Sequence, residues 1–258
     1  MDSKLFICVL VFIFSCSTSE VPVGQFAHSH NDYYQERPFH DAYECYFGSI
    51  EVDVWAVEGE LFVAHDHWEI EPGKTFESMY LEPIRDVFEK NGGRAWSDYD
   101  GTFILLVDLK TSYSPALDIL VDIISGYPEL FDHNVNPDAV SVVISGDMPP
   151  PGMFHFYPHY IWFDGRMANS YDEQQLERVK LFSSHFRSLS SWDGYGEIPD
   201  EEREIIMDYI RRAGDTGKKT RFWATPDHEE AWKTLLELGA GYVNTDHPVK
   251  FAETMSAR

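Results

Sequence analysis

Residues 49–66 read SIEVDVWAVEGELFVAHD. Ile50, Val52 and Val54 alternate with Glu51 and Asp53. That period of two predicts a strand with one apolar face buried and both carboxylates on the other. Glu58-Gly59-Glu60 predicts a tight turn, followed by a short apolar strand ending in His65. Carboxylates two positions apart on one face repel and need a proton, a cation or water between them. A lone Glu-x-Asp is most often a solvated strand end. Here the turn brings back a histidine fourteen positions after Glu51, which favours a site over a solvated end.

Outward from this hairpin the pattern is strand then helix, repeated. Strands are predicted over 21–28, 103–109, 139–144, 159–163, 181–189, 220–224 and 241–244. Helices are predicted over 38–46, 77–90, 116–125, 173–180, 200–213 and 227–238. The run 103–109, FILLVDL, is nearly all apolar, as in a strand covered on both faces. About eight strands with intervening helices over about 240 residues is the size of one TIM-type (β/α)₈ barrel. A doubly wound open sheet is the alternative, but no G-x-G-x-x-G follows the first strand.

The net charge of −24 opposes binding to nucleic acid or to an anionic membrane surface. An anionic substrate therefore needs local positive charge from a metal or from Lys and Arg. At the N-terminus, Lys4 precedes a short apolar core over 5–14, too short to span a bilayer. Ile13-Phe14-Ser15-Cys16 resembles a bacterial lipobox. Residues 1–16 thus read as a signal peptide, 17–21 as a tether and 22–258 as the barrel. The expectation is an exported bacterial lipoprotein, in the periplasm or at the cell surface, touching the membrane only through a lipid on Cys16. An ordinary cleaved leader is the competing reading. Cys45 lies in an apolar helical run and reads as core.

In a barrel of this kind the chemistry collects at the C-terminal strand ends. His28 ends the first predicted strand, Glu51 and Asp53 lie on the second, and Asp108 closes the apolar run. Lys110 follows on the same face as Asp108. Thr225, Asn244 and Asp246 fall near the last strand ends. Three carboxylates make an all-oxygen site suited to Mg²⁺ or Ca²⁺. His28 and His65 can move one proton on and another off near neutral pH. A metal, Lys110 and two imidazoles together suit attack on a phosphodiester.

These residues carry a resemblance. Ala27-His28-Ser29-His30-Asn31-Asp32-Tyr33 with Arg37-Pro38-Phe39, Ile50-Glu51-Val52-Asp53, Ala64-His65-Asp66, Asp108-Leu109-Lys110, Phe163-Asp164-Gly165-Arg166, Phe222-Trp223 and Asn244-Thr245-Asp246-His247-Pro248 recur in order. In this the chain resembles the phospholipase C-like phosphodiesterase superfamily, which includes glycerophosphodiester phosphodiesterases and sphingomyelinase D-type enzymes. It is most similar to the branch of the yeast "altered inheritance of mitochondria 6" protein. The resemblance implies a TIM-type barrel and one divalent cation, Mg²⁺ or Ca²⁺, on Glu51, Asp53 and Asp108. It implies His28 and His65 as the acid–base pair, Lys110 as the phosphate-stabilising lysine, and Trp223 and Asn244 in a headgroup pocket. The implied substrate is a small-molecule or lipid phosphodiester, such as a glycerophosphodiester, lysolipid or phosphoinositide. Where many relatives carry His-Arg-Gly, this chain has His28-Ser29-His30, so an arginine is missing and Arg37 or Arg166 is the candidate replacement.

Two other classes compete. His28-Ser29-His30 with His159, His185 and Asp246 matches a zinc-dependent amidohydrolase, but leaves Glu51, Asp53 and Lys110 unused. A non-catalytic binding protein would use Trp192, Tyr195 and Trp223 as stacking platforms. A glycosidase fits poorly, because Glu51 and Asp53 share one strand rather than flanking a sugar. His30, two residues past His28, either orients a metal ligand or caps the loop, and the loop role is the reading taken. The sequence leaves open the substrate alcohols, hydrolysis against cyclic phosphate formation, and the oligomeric state.

Overall fold

A computed structural model describes residues 21–101 and 103–256. The leader, Cys16 and all but the last residue of the tether lie outside the described residues. Among the described residues nine strands follow in chain order: β1 (Ala27–Ser29), β2 (Ser49–Val57), β3 (Glu60–Val63), β4 (Ile104–Leu109), β5 (Ser141–Gly146), β6 (Ile161–Gly165), β7 (Val179–His185), β8 (Lys219–Trp223) and β9 (Val243–Thr245). Eight of them pair in parallel in the order β8-β7-β6-β5-β4-β2-β1-β9. The ends nearly meet, and Tyr242 N–H donates to the Thr220 carbonyl at 2.8 Å across the gap. This is the predicted (β/α)₈ barrel.

β3 is the one antiparallel strand among the described residues and pairs with β2, with Val54 opposite Val63 and Val57 opposite Glu60. The two residues between the strands, Glu58 and Gly59, have φ of 51° and 90°. Positive φ at both central positions is the type I′ hairpin, whose twist matches that of the flanking strands.

Strand alternation divides the interior. Leu105, Val107 and Leu109 face outward into a continuous core with Ala116, Leu117 and Leu120 of the following helix. Ile104 and Leu106 face the barrel lumen with Val143, Leu181 and Tyr242. That lumen cluster fills the barrel from within. The next position on the lumen face of β4 is Asp108, so polarity begins where the apolar plug ends.

Several predicted boundaries shift by a few residues, two of them as follows. The first strand is predicted from 21, but Val23–Phe26 is a 3-10 turn. Backbone crowds Gly24 so closely that a Cβ there would lie 2.0 Å from the Cys45 carbonyl oxygen. β7 stops at His185 rather than running to 189, because Phe186–Ser188 turns as 3-10 helix.

Candidate active site

The register of β2 and β4 sets Asp53 directly beside Asp108. Glu51 lies one inward-facing position deeper on β2. Glu51, Asp53 and Asp108 each offer an oxygen within 4.8 Å of the others. Among the described residues no other group of three His, Cys, Asp or Glu side chains does so. The β2–β3 hairpin then carries His65 back, and its Nδ1 lies 3.0 Å from Asp53 Oδ2.

Lys110 Nζ reaches Asp53 Oδ2 at 2.9 Å and Asp108 Oδ1 at 3.1 Å. Burial alone would lower the ammonium's pKa, but the two carboxylates outweigh it and raise it. Burial, with Glu51 adding like charge, pushes Asp53 up to about 6 and raises Asp108 as well. Glu51 goes the other way. Its burial is outweighed by the Arg221 guanidinium and the hydrogen bond to His28, which hold it well below the usual carboxylate range. Asp53 Oδ1 is buried with no hydrogen-bond partner. An orphan oxygen among crowded carboxylates suits a hard divalent cation, and the all-oxygen donor set matches Mg²⁺ or Ca²⁺.

A cavity of about 320 Å³ opens over this cluster, lined by His30, Glu51, His65, Asp108, Lys110 and Arg166 among others. Ser145, Gly146, Arg221 and Trp223 also line it. The structure thus brings Glu51, His65, Asp108, Lys110 and Trp223 to one cavity, with Asp53 buried beside Asp108.

Other predicted site residues do not line the cavity. His28 is fully buried, with Nδ1 on Ser49 Oγ and Nε2 on Glu51 Oε2, both at 2.8 Å. Burial and the nearby Arg221 charge lower its pKa to about 3, so it stays neutral. It does not line the cavity; His30, two residues on and one step nearer the mouth, does. Arg37 is exposed and tied to Asp41 and Glu44, away from the cavity. Asn244 is buried and holds Arg221 rather than lining the pocket.

His30 is the residue that sequence reading placed in a loop role. Its Nδ1 lies 2.7 Å from Asp246 Oδ1, and its Nε2 lies 3.9 Å from Glu51 Oε1. Burial lowers its pKa, but Asp246 and Glu51 outweigh this and raise it. Asp246, 216 positions away, reads from the sequence as a carboxylate near a strand end and as a ligand in the zinc alternative, not as a partner of His30 in a phosphodiesterase site. The turn that presents His30 passes through Asn31 at φ 46°, a conformation asparagine tolerates better than most residues. Arg221 was missed altogether, since nothing about Lys219–Trp223 marks it as more than a strand residue.

Some residues of the competing classes lie apart from this cavity. His159 bonds Asp132 before β6 begins, at the opposite end of the strands from the acidic cluster. Trp192 is buried, and Tyr195 stacks on His228 with ring centroids 4.3 Å apart.

Residues 18–151 match the model of the AIM6-like phosphodiesterase domain, and residues 219–249 that of the glycerophosphoryl diester phosphodiesterase family. Altered inheritance of mitochondria protein 6 of Eremothecium gossypii is 24% identical over 89% of this chain and 69% of its own length. Relatives of the same name come from Lachancea thermotolerans and Kluyveromyces lactis. A glycerophosphodiester phosphodiesterase from Parabacteroides distasonis superposes with a TM-score of 0.53 at 12% identity, covering 90% of this chain and 97% of that one. An Oleispira antarctica phosphodiesterase in complex with sn-glycerol-3-phosphate gives 0.52 at 14% identity, covering 90% and 96%. At such identities these two structures establish the barrel fold. The fungal relatives overturn the expectation of a bacterial lipoprotein anchored at Cys16.

Proposed function

This chain belongs to the family of AIM6-like phosphodiesterase domains, and from that premise we propose that it is a metal-dependent phosphodiesterase acting on a small-molecule or lipid phosphodiester. One observation carries the reading: three carboxylates, a lysine and two pocket-facing imidazoles converge at the C-terminal mouth of the barrel. Glu51, Asp53 and Asp108 would hold Mg²⁺ or Ca²⁺, which supplies positive charge to the phosphoryl oxygens. Lys110, fixed by Asp53 and Asp108, adds a charge-assisted donor for a non-bridging oxygen. His65 engages Asp53 through Nδ1, which leaves Nε2 as the lone pair able to take a proton from the attacking hydroxyl. His30 sits between the carboxylates of Asp246 and Glu51, which favour its protonated form. It is suited to protonate the leaving oxygen. His28, sealed beneath, orients Glu51. Glycerophosphodiesters, lysolipids and phosphoinositide-like diesters all fit this chemistry.

The test is turnover of bis-p-nitrophenyl phosphate by the purified protein in EDTA, then with Mg²⁺, Ca²⁺ or Zn²⁺ restored. Activity should vanish in EDTA and return with Mg²⁺ or Ca²⁺. His30→Ala and His65→Ala should each lower kcat by about 10²–10⁴-fold. A folded, metal-binding wild type that turns over neither this nor a panel of natural diesters would sink the proposal. Restoration by Zn²⁺ alone would return the amidohydrolase reading.

A further inference from the structure

Arg221 has no part in the reaction proposed above, yet it lines the cavity and bonds Glu51. It lies on β8 and is only 3% exposed. Its Nε donates to Asn244 Oδ1 at 3.1 Å, and its Nη2 donates to Glu51 Oε2. Two corners of the guanidinium are therefore pinned, one by β9 and one by β2. The third corner, Nη1, has no hydrogen-bond partner among the described residues and is not sealed from solvent. Arg221 lines the same cavity as Lys110 and His65.

Burying a guanidinium is costly unless its donors are used. Glu51 uses one, but the same Glu51 oxygen already accepts from His28. Arg166, the other arginine of the cavity, is differently placed. Its Nη1 is spent on Asp164 at 2.6 Å and on two backbone carbonyls, and its Nη2 on Ser145. Arg221 alone is held rigid by its neighbours with a whole Nη corner left over.

The strand order puts Lys110 and Arg221 on two sides of Glu51. Lys110 approaches from β4, and Arg221 from β8 across the barrel seam. We infer that Arg221 binds the phosphoryl group directly through Nη1, so that the two non-bridging oxygens of a monoanionic diester are gripped by cations from opposite sides. This rests on the phosphodiesterase reading and supplies the arginine missing from the first motif. It comes from β8, not from Arg37 or Arg166. A guanidinium suits the task because its planar fork engages Glu51 and a phosphate at once, which an ammonium on a flexible stem does less well.

The experiment is a phosphorus NMR titration of the full chain with dimethyl phosphate at saturating Ca²⁺, with Ca²⁺ affinity measured separately by calorimetry. Wild type is compared with Arg221→Lys and Arg221→Gln, and thermal melting checks the fold. Arg221→Lys keeps a buried cation beside Glu51, so it decides the matter even where Arg221→Gln does not fold. The expected result is Ca²⁺ affinity within about threefold of wild type and dimethyl phosphate affinity lower by about tenfold or more, one lost charge-assisted bond. Unchanged dimethyl phosphate affinity in Arg221→Lys overturns the inference and leaves the phosphodiesterase reading standing. Equal losses of Ca²⁺ and dimethyl phosphate affinity also overturn it, because Arg221 then acts only through Glu51. A wild type that binds Ca²⁺ but no dimethyl phosphate overturns both.

Discussion

At the scale of single residues, the site is governed by which groups sit in which charge field. His30 and His28 are two positions apart, yet their environments are opposite. Asp246 raises the pKa of His30, while burial beside Arg221 lowers that of His28 to about 3. In metal-free protein the His30 ring should therefore titrate above 6.5 by NMR, and Asp246→Asn should move its midpoint down. The sign for stability follows from linkage. A histidine whose folded pKa is raised contributes stability that is complete below the unfolded value of about 6.5. That contribution is lost as pH rises through the folded value. The pH dependence of unfolding should accordingly flatten in Asp246→Asn across this window. A His30 midpoint unmoved by Asp246→Asn would mean that Asp246 does not hold the imidazolium.

Elements place these residues, and two glycines show how. Gly59 completes the type I′ turn at φ 90°, with nothing within 4 Å of where a Cβ would stand. Gly59→Ala should cost about 1 kcal/mol from backbone strain alone, and about 2–4 °C in Tm. Divalent-ion affinity should hardly change. Gly146, at the end of β5, is different. It has φ 70°, and a Cβ would lie 2.6 Å from Asp108 Oδ1 and 2.5 Å from the Leu109 carbonyl oxygen. Gly146→Ala must displace either the backbone of β4 or the Asp108 carboxylate. We expect a fall of about tenfold or more in Ca²⁺ affinity by calorimetry, the size of effect that disturbed ligand orientation produces. Equal Ca²⁺ affinity in the two variants would remove Asp108 from the ion site.

For the molecule as a whole, the surplus of negative charge is the dominant electrostatic fact. A net −24 repels itself, and three of those carboxylates are crowded into one mouth. Divalent ions should therefore stabilise well beyond simple screening. At 100 times its dissociation constant a bound ion adds about 2.7 kcal/mol, a rise of about 5–10 °C in Tm by calorimetry. Asp108→Ala should abolish most of that rise. Raising NaCl at constant EDTA should also raise Tm, by the smaller amount that screening of surface repulsion yields. Identical Tm values in EDTA and in saturating Mg²⁺ or Ca²⁺ would argue against any resident cation.

The barrel, its hairpin and the carboxylate cluster were legible in the chain because they depend on local periodicity. Ile50, Val52 and Val54 set the faces of β2, Glu58-Gly59 sets the turn, and the turn sets the distance from Asp53 to His65. Period two puts His28 and His30 on one side of β1. It does not say where along the barrel axis the apolar plug stops, and that depth decides which imidazole meets the cavity. Arg221 was invisible for a related reason. Its partner Glu51 lies 170 positions away and becomes a neighbour only when β8 closes against β9. Local pattern determined which strands exist and which side each side chain takes. Closure of the barrel decided which buried charges face each other across it, because a contact between distant strands leaves no periodic trace in either.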